Sequence, residues 1–126
     1  MPRILVIEDS PINMALTVAI LHNAGHIALQ ADSAGMGLDM ARTEQPDLIL
    51  MDLQLPDIDG LAATRMLKAD PTTAALPVIA VTAFAMKGDE AQTHAAGCDG
   101  YVTKPIRYKE FLAEVDAVLA GRRNTL

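Results

Sequence analysis

The chain contains no tryptophan, and of its 126 residues only two are tyrosine and two phenylalanine. Its core therefore has to be built from Val, Ile, Leu, Met and Ala, through many small contacts and not a few large rings. Cysteine occurs once, at Cys98. That excludes an internal disulfide, a CxxC metal site and an iron–sulfur cluster, and it fits a reducing compartment. Basic residues are scarce: ten Lys and Arg face sixteen Asp and Glu, for a formal charge of −6. No basic patch is present to meet nucleic-acid phosphates. No apolar run approaches the roughly 18 residues of a membrane span. Met1-Pro2-Arg3 leads into only four apolar residues before Glu8-Asp9, too few for a secretory signal. The expectation is a cytoplasmic protein that neither binds nucleic acid nor inserts into a membrane.

What is present suffices for one domain. A chain of this size folds to roughly 6,500 Å² of accessible surface and buries about two thirds of what it exposes unfolded. With 51% hydrophobic and 21% charged residues it reads as globular. The domain is expected over 1–120, with 121–126 a short polar tail. Charge is unevenly spread. Residues 1–63 hold nine acids and two bases, whereas residues 64–126 hold seven acids and eight bases. An acidic feature therefore lies in the first half.

Short apolar runs alternate with segments of helical period. Arg3–Ile7 and Leu48–Met51 are continuous apolar runs closed by acids, the pattern of buried parallel strands. Ile27–Ala31, Pro77–Val81 and Gly100–Thr103 are the remaining strands. Ser10 and Pro11 open a first helix, with an apolar face through Ile12, Leu16 and Ile20 plus Met14, Val18 and Leu21, stopped at Gly25. Ser33 caps a second helix that ends before Pro46. Helices follow over Leu61–Ala69, about Asp89–Ala96 and about Tyr108–Ala120, the last with Phe111, Val115, Val118 and Leu119 inward. Arg107 and Tyr108 open that helix without the usual Ser, Asp or Asn cap. Strict alternation predicts an α/β fold: a five-stranded parallel sheet of order 2-1-3-4-5, flavodoxin-like, with five helices on its two faces.

Sites on such sheets lie at the carboxyl ends of the strands. The residues that collect there are Glu8, Asp9, Asp52, Thr82 and Lys104. Three carboxylates in one crevice repel one another and call for a cation. An oxygen donor set with no Cys or His suits Mg²⁺ over Zn²⁺. Mg²⁺ keeps waters and favours phosphate oxygens, which leaves one carboxylate free to attack a phosphoryl group.

Glu8-Asp9, Asp52 in DLILMDLQLPDIDG, Thr82 in VTAFA and Lys104-Pro105 in YVTKPI together resemble the receiver (CheY-like) domain of two-component response regulators, across essentially the whole chain. SPINM, PDLILMDLQLP and VTAFAMKGDE look like the single-domain DivK group of cell-cycle regulators. The resemblance implies that Asp52 accepts a phosphoryl group from a phosphohistidine on a histidine kinase or phosphotransferase. It implies Mg²⁺, with Mn²⁺ as a substitute, held by Asp9, Asp52 and the Gln54 backbone carbonyl, with Glu8 acting through water. Lys104 would pair with Asp52 and then with the phosphoryl oxygens. Thr82 would turn its hydroxyl to the phosphoryl group, and Tyr101 would rotate inward as the aromatic switch. Ala83 would leave room above the site, and Gln54 and Phe84 would flank it. The Lys104-Pro105 peptide is expected to be cis. Such a protein assists its own phosphorylation and dephosphorylation but is no enzyme in the ordinary sense. It would signal to a downstream protein effector through a surface around the fourth helix, fifth strand and fifth helix.

Two other classes fit less well. An aspartate-nucleophile phosphatase of the haloacid dehalogenase type needs a second Asp two residues after the nucleophile, where this chain has Gln54. A flavodoxin needs a hydroxyl- and Gly-rich phosphate loop after the first strand, where Glu8-Asp9 would repel the phosphate. The remaining candidates read as structure. Asp57 and Asp59 are loop carboxylates, and His22, His26 and His94 lack ligand spacing and lie at the surface or partly buried. Cys98 is a small buried apolar residue, and Met14, Met36, Met40, Met51, Met66 and Met86 fill the core.

Overall fold

The computed structural model describes residues 1–83 and 89–124. Five strands alternate with five helices: β1 (Arg3–Ile7), α1 (Pro11–Asn23), β2 (Ile27–Ala31), α2 (Ala34–Glu44), β3 (Leu48–Asp52), α3 (Gly60–Ala69), β4 (Val78–Thr82), α4 (Asp89–Ala95), β5 (Gly100–Thr103) and α5 (Tyr108–Asn124). The sheet order is β2-β1-β3-β4-β5, with every pairing parallel. The strand order and element sequence are those expected, and the accessible surface, 6650 Å², agrees with the size scaling.

Strand alternation divides the core into two layers. Leu5 and Ile7 face one side with Ala34, Leu38 and Ala41 of α2 and Ala63 and Leu67 of α3. Ile4 and Val6 face the other with Met14 and Leu21 of α1 and Phe111, Val115, Val118 and Leu119 of α5. β1, β3 and β4 are dry along nearly their whole lengths, whereas Ile27 on the edge strand β2 is 39% exposed. Local signals fix the helix ends. The Ser10 hydroxyl accepts the Asn13 N–H at 3.3 Å and the Ser33 hydroxyl accepts the Met36 N–H at 3.2 Å. Gly25, at φ 87°, takes the left-handed turn after α1.

Several expectations need correction. The inward stripe of α1 is Met14, Thr17 and Leu21, while Ile12 is 81% and Leu16 47% exposed. The helix is apolar on most of its circumference, so composition alone does not orient it. Met36 and Met66 are also about half exposed, at 46% and 47%, and not core; Met86 lies outside the described residues. β3 includes Asp52 and β4 runs from Val78 through Thr82, so both site residues are the last residues of their strands. α3 starts at Gly60, α4 ends at Ala95, and α5 continues through Gly121 to Asn124, well into the stretch expected to be a tail. One glycine costs a helix only about 1 kcal/mol and does not by itself end it. α5 opens with the Arg107 carbonyl accepting the Phe111 N–H at 2.9 Å. His26 is buried at 9% exposure, and its Nδ1 has no hydrogen-bond partner among the described residues.

The rotated seam of α1 is directly testable by urea unfolding followed by circular dichroism. Leu21→Ala is expected to cost about 2–5 kcal/mol. Ile12→Ala is expected to stay within about 0.5 kcal/mol of wild type. Equal losses would place both residues in the core.

Candidate functional site

The carboxyl ends of β1, β3, β4 and β5 meet at one edge of the sheet. Glu8 and Asp52 are nearly dry, at 6% and 3% exposure, while Asp9 faces solvent. One carboxylate oxygen from each of the three lies within 4.8 Å of the others. Lys104, on the loop leaving β5, reaches into the group, its ammonium 3.0 Å from Glu8 Oε1 and 3.2 Å from Asp52 Oδ2. The other oxygens are also engaged. Glu8 Oε2 accepts the Ser10 N–H at 3.2 Å, and Asp52 Oδ1 accepts the Gln54 N–H at 3.0 Å. Thr82, 3% exposed, ends β4 beside them, and its carbonyl accepts the Lys104 N–H at 2.7 Å. The Lys104-Pro105 peptide is cis, as expected.

Electrostatics follow from this packing. Burial and the neighbouring Asp52 push the Glu8 carboxyl above its usual value, against the pull of Lys104 and the Ser10 N–H. Burial works against the Lys104 ammonium, but Glu8 and Asp52 outweigh it and hold that group above its usual value. Three carboxylates against one ammonium leave a formal charge of −2, which a divalent cation cancels. Like charges about 4.8 Å apart repel by roughly 3 kcal/mol per pair at an effective dielectric of about 20. The donors are all oxygen, two of them dry and fixed, with Asp9 on the open side where waters can complete a shell. That set fits Mg²⁺.

The sequence-predicted residues Glu8, Asp9, Asp52, Thr82 and Lys104 are thus brought together. Gln54 meets the site through its N–H. Ala83 is exposed just past the end of β4, and Phe84 lies outside the described residues. Tyr101 stands apart, half-buried on β5 against the cluster beneath α2 and α3.

Two residues read as plain loop carboxylates do more. Asp59 caps α3, its carboxylate accepting the Leu61 N–H at 3.1 Å. An Asp just before a helix start signals this role in the sequence. Asp57 accepts the Ala34 N–H at 3.0 Å and the Gly35 N–H at 2.9 Å, so it caps α2 from another element and ties down the loop that follows Asp52. No sequence period signals a contact made 22 or 23 residues away. Gly60 completes the loop: a Cβ there would stand 2.5 Å from the Asp52 carbonyl oxygen and 2.6 Å from Leu53 Cα. Only glycine lets α3 start this close to the strand end.

With the geometry established, comparison with known proteins gives the class. The chain belongs to the response regulator receiver domain family, which matches residues 4–116. It is 42% identical to the polar-differentiation response regulator DivK of Brucella ovis over 116 residues, 92% of this chain and 94% of that protein. Against DivK of Brucella anthropi it is 42% identical over 120 residues, 94% of this chain and 98% of that one. Among solved structures it resembles the receiver domain of a sensor histidine kinase from Pseudomonas aeruginosa, with a TM-score of 0.87 at 31% identity, covering 94% of this chain and 98% of that one. That structure has a magnesium ion coordinated in its active site cleft. A CheY-like receiver domain protein from Methanospirillum hungatei superposes with a TM-score of 0.91 at 26% identity, covering 100% of this chain and 99% of that one.

The Asp57 tether has a pH signature. The Gly35 and Ala34 N–H groups hold its carboxyl below the ordinary value of 3.8. A carboxyl depressed on folding contributes stability above its unfolded pKa and loses it as pH falls through the folded value. The stability difference between wild type and Asp57→Asn is expected to be full at neutral pH and to narrow below pH 3.8. Thermal unfolding across a pH series reads it, and a gap that stays constant with pH would exclude the charged tether.

Proposed function

We propose that this receiver domain takes a phosphoryl group from a phosphohistidine onto Asp52 and signals the change to a separate protein. The observation that carries this reading is the gathering of Glu8, Asp9 and Asp52 oxygens within 4.8 Å around an ammonium that touches two of them. In the transfer an Asp52 carboxylate oxygen attacks phosphorus. The P–N bond to the donor imidazole breaks, its electron pair staying on nitrogen, which ends protonated, and a P–O bond forms. Water later attacks the same phosphorus, releasing inorganic phosphate and restoring the carboxylate. The protein therefore assists its own phosphorylation and dephosphorylation without being a conventional enzyme.

Asp9, Asp52 and the Gln54 carbonyl would hold Mg²⁺ or Mn²⁺ directly, with Glu8 holding it through water. When bound, the ion neutralises charge on the transferred group. Lys104 loses a partner when Asp52 is esterified and turns to the phosphoryl oxygens. Thr82 offers them its hydroxyl, and Tyr101 serves as the switch on the α4–β5–α5 face. The donor is a histidine kinase or histidine phosphotransferase. The similarity to DivK supports a role in cell-cycle or cell-division control. Among the described residues no helix is long and apolar enough to cross a membrane, and we place the protein in the cytoplasm. A receiver unit from β1 through the end of α5 serves as the working domain. Partner proteins find apolar surface ready near the site, at exposed Ile12 and Leu16 on α1.

Intact mass after incubation with acetyl phosphate decides the reading. A single phosphate increment is expected with Mg²⁺, none without metal, and none in Asp52→Asn. An increment that persists in Asp52→Asn would overturn it. Lys104→Ala is expected to accept phosphate yet lose the preference of a partner for the phosphorylated form; binding measured on both forms checks this, and wild-type discrimination would refute it.

A further inference from the structure

β5 is an edge strand, so half of its backbone N–H groups have no neighbouring strand to meet. Lys104 gives its N–H inward, to the Thr82 carbonyl. Alternation then turns the N–H of Tyr101 outward. There it meets a side chain from α5: Glu114 Oε2 accepts the Tyr101 N–H at 3.0 Å. The neighbouring residue makes room for this. A Cβ on Gly100 would stand 3.2 Å from the same Glu114 oxygen and 3.0 Å from Val118 Cγ2. Glu114 and Tyr101 also line two surface clefts together. One, of about 630 Å³, opens toward His94 and Cys98; the other, of about 510 Å³, opens toward Arg107 and Phe111. The two residues form the ridge between these clefts, and the ring of Tyr101 has space at its margins.

We propose that Glu114 is a positioning residue for Tyr101: its carboxylate stands in for the missing strand neighbour and fixes the backbone from which that ring swings. The proposal rests on Tyr101 being the switch residue of the site described above. α5 is the fixed partner of the pair, since Phe111 and Val115, three residues and one residue from Glu114 on the inward face, are fully buried. Glu114 thereby clamps the switch strand to a helix that the core holds still. Among the described residues its carboxylate bonds to Tyr101 and to neither the acidic cluster nor Lys104, so removing it is expected to leave phosphate acceptance at Asp52 intact.

The test uses full-length protein with both tyrosines replaced by 3-fluorotyrosine, Tyr108→Phe assigning the two fluorine resonances. In the unmodified state, Glu114→Ala is expected to displace the Tyr101 resonance by more than its linewidth and leave that of Tyr108 in place. Glu114→Gln keeps an acceptor oxygen and is expected to match wild type. An unmoved Tyr101 resonance in Glu114→Ala overturns the proposal, and so does an equal displacement in Glu114→Gln. Movement of both tyrosines together would mark general loosening of α5 and would also overturn it. Trifluoroberyllate with Mg²⁺, a phosphoryl mimic, is then added to wild type. A Tyr101 resonance that ignores the mimic removes the switch role itself, a failure distinct from that of the Glu114 contact.

Discussion

Everything at the carboxyl edge of the sheet is organised by the repulsion among Glu8, Asp9 and Asp52. Two of the three are nearly dry, and Lys104 supplies one positive charge where two more are wanted. Removing carboxylates from water is costly unless they are paired and hydrogen-bonded. The protein meets that demand partly, with the Lys104 ammonium, the Ser10 N–H and the Gln54 N–H. The remaining deficit makes the crevice selective. A small hard dication would relieve it, whereas phosphorylation of Asp52 would add to it, replacing one carboxylate charge by about two on the phosphoryl oxygens, which Lys104 and the ion would then have to meet. On the proposed function, the same imbalance would draw a metal to the site and make it respond to phosphorylation.

Such a cluster survives only if its members cannot relax away from one another. The parallel sheet provides this constraint, because Asp52 and Thr82 are terminal residues of strands whose preceding positions are fully packed. Glu8 follows directly after buried Ile7 and takes the Ala31 carbonyl with its own N–H at 3.0 Å. Behind this first ring stands another set of contacts. Asp57 binds the loop after Asp52 to α2, and Gly60 lets α3 begin against the Asp52 backbone. Each is worth little alone, yet together they fix the peptide that carries the Asp52 carboxylate.

The fold was legible because buried parallel strands leave a strong trace: four apolar residues closed by a polar one in each of β1, β3 and β4, with Ser10-Pro11 and Gly25 marking a helix between the first two strands. The acidic site was legible for the same reason, since its residues are the ones that close the runs. Legibility failed where the determinant is a tertiary contact between unlike elements. Ile12, Leu16 and Ile20 form as regular a stripe as Met14, Thr17 and Leu21, and only the strand packing chooses between them. Asp57 and Glu114 act on backbone N–H groups of distant segments, and a carboxylate with that task is indistinguishable in sequence from a solvated one. Gly121 opens the expected polar tail, whereas α5 passes through it to Asn124.

Transmission from the buried charge to the surface needs an element with two arrangements that both ends can bias. β5 is suited to that part. One end is tied to the chemistry, because Lys104 carries the ammonium in the cluster while its N–H is bonded to Thr82. Three residues earlier, Tyr101 packs against the cluster beneath α2 and α3 and borders two clefts. The other edge strand, β2, is equally exposed but ends at Ala31, whose contribution near the cluster is a carbonyl to Glu8 and no charge. An edge strand with a charged terminus can shift against one neighbour without disturbing β1 and β3, which the core encloses on both faces. On the proposed function, placing the lysine just past the end of β5 separates the part of the sheet that holds the carboxylates still from the part that would move when one of them changes.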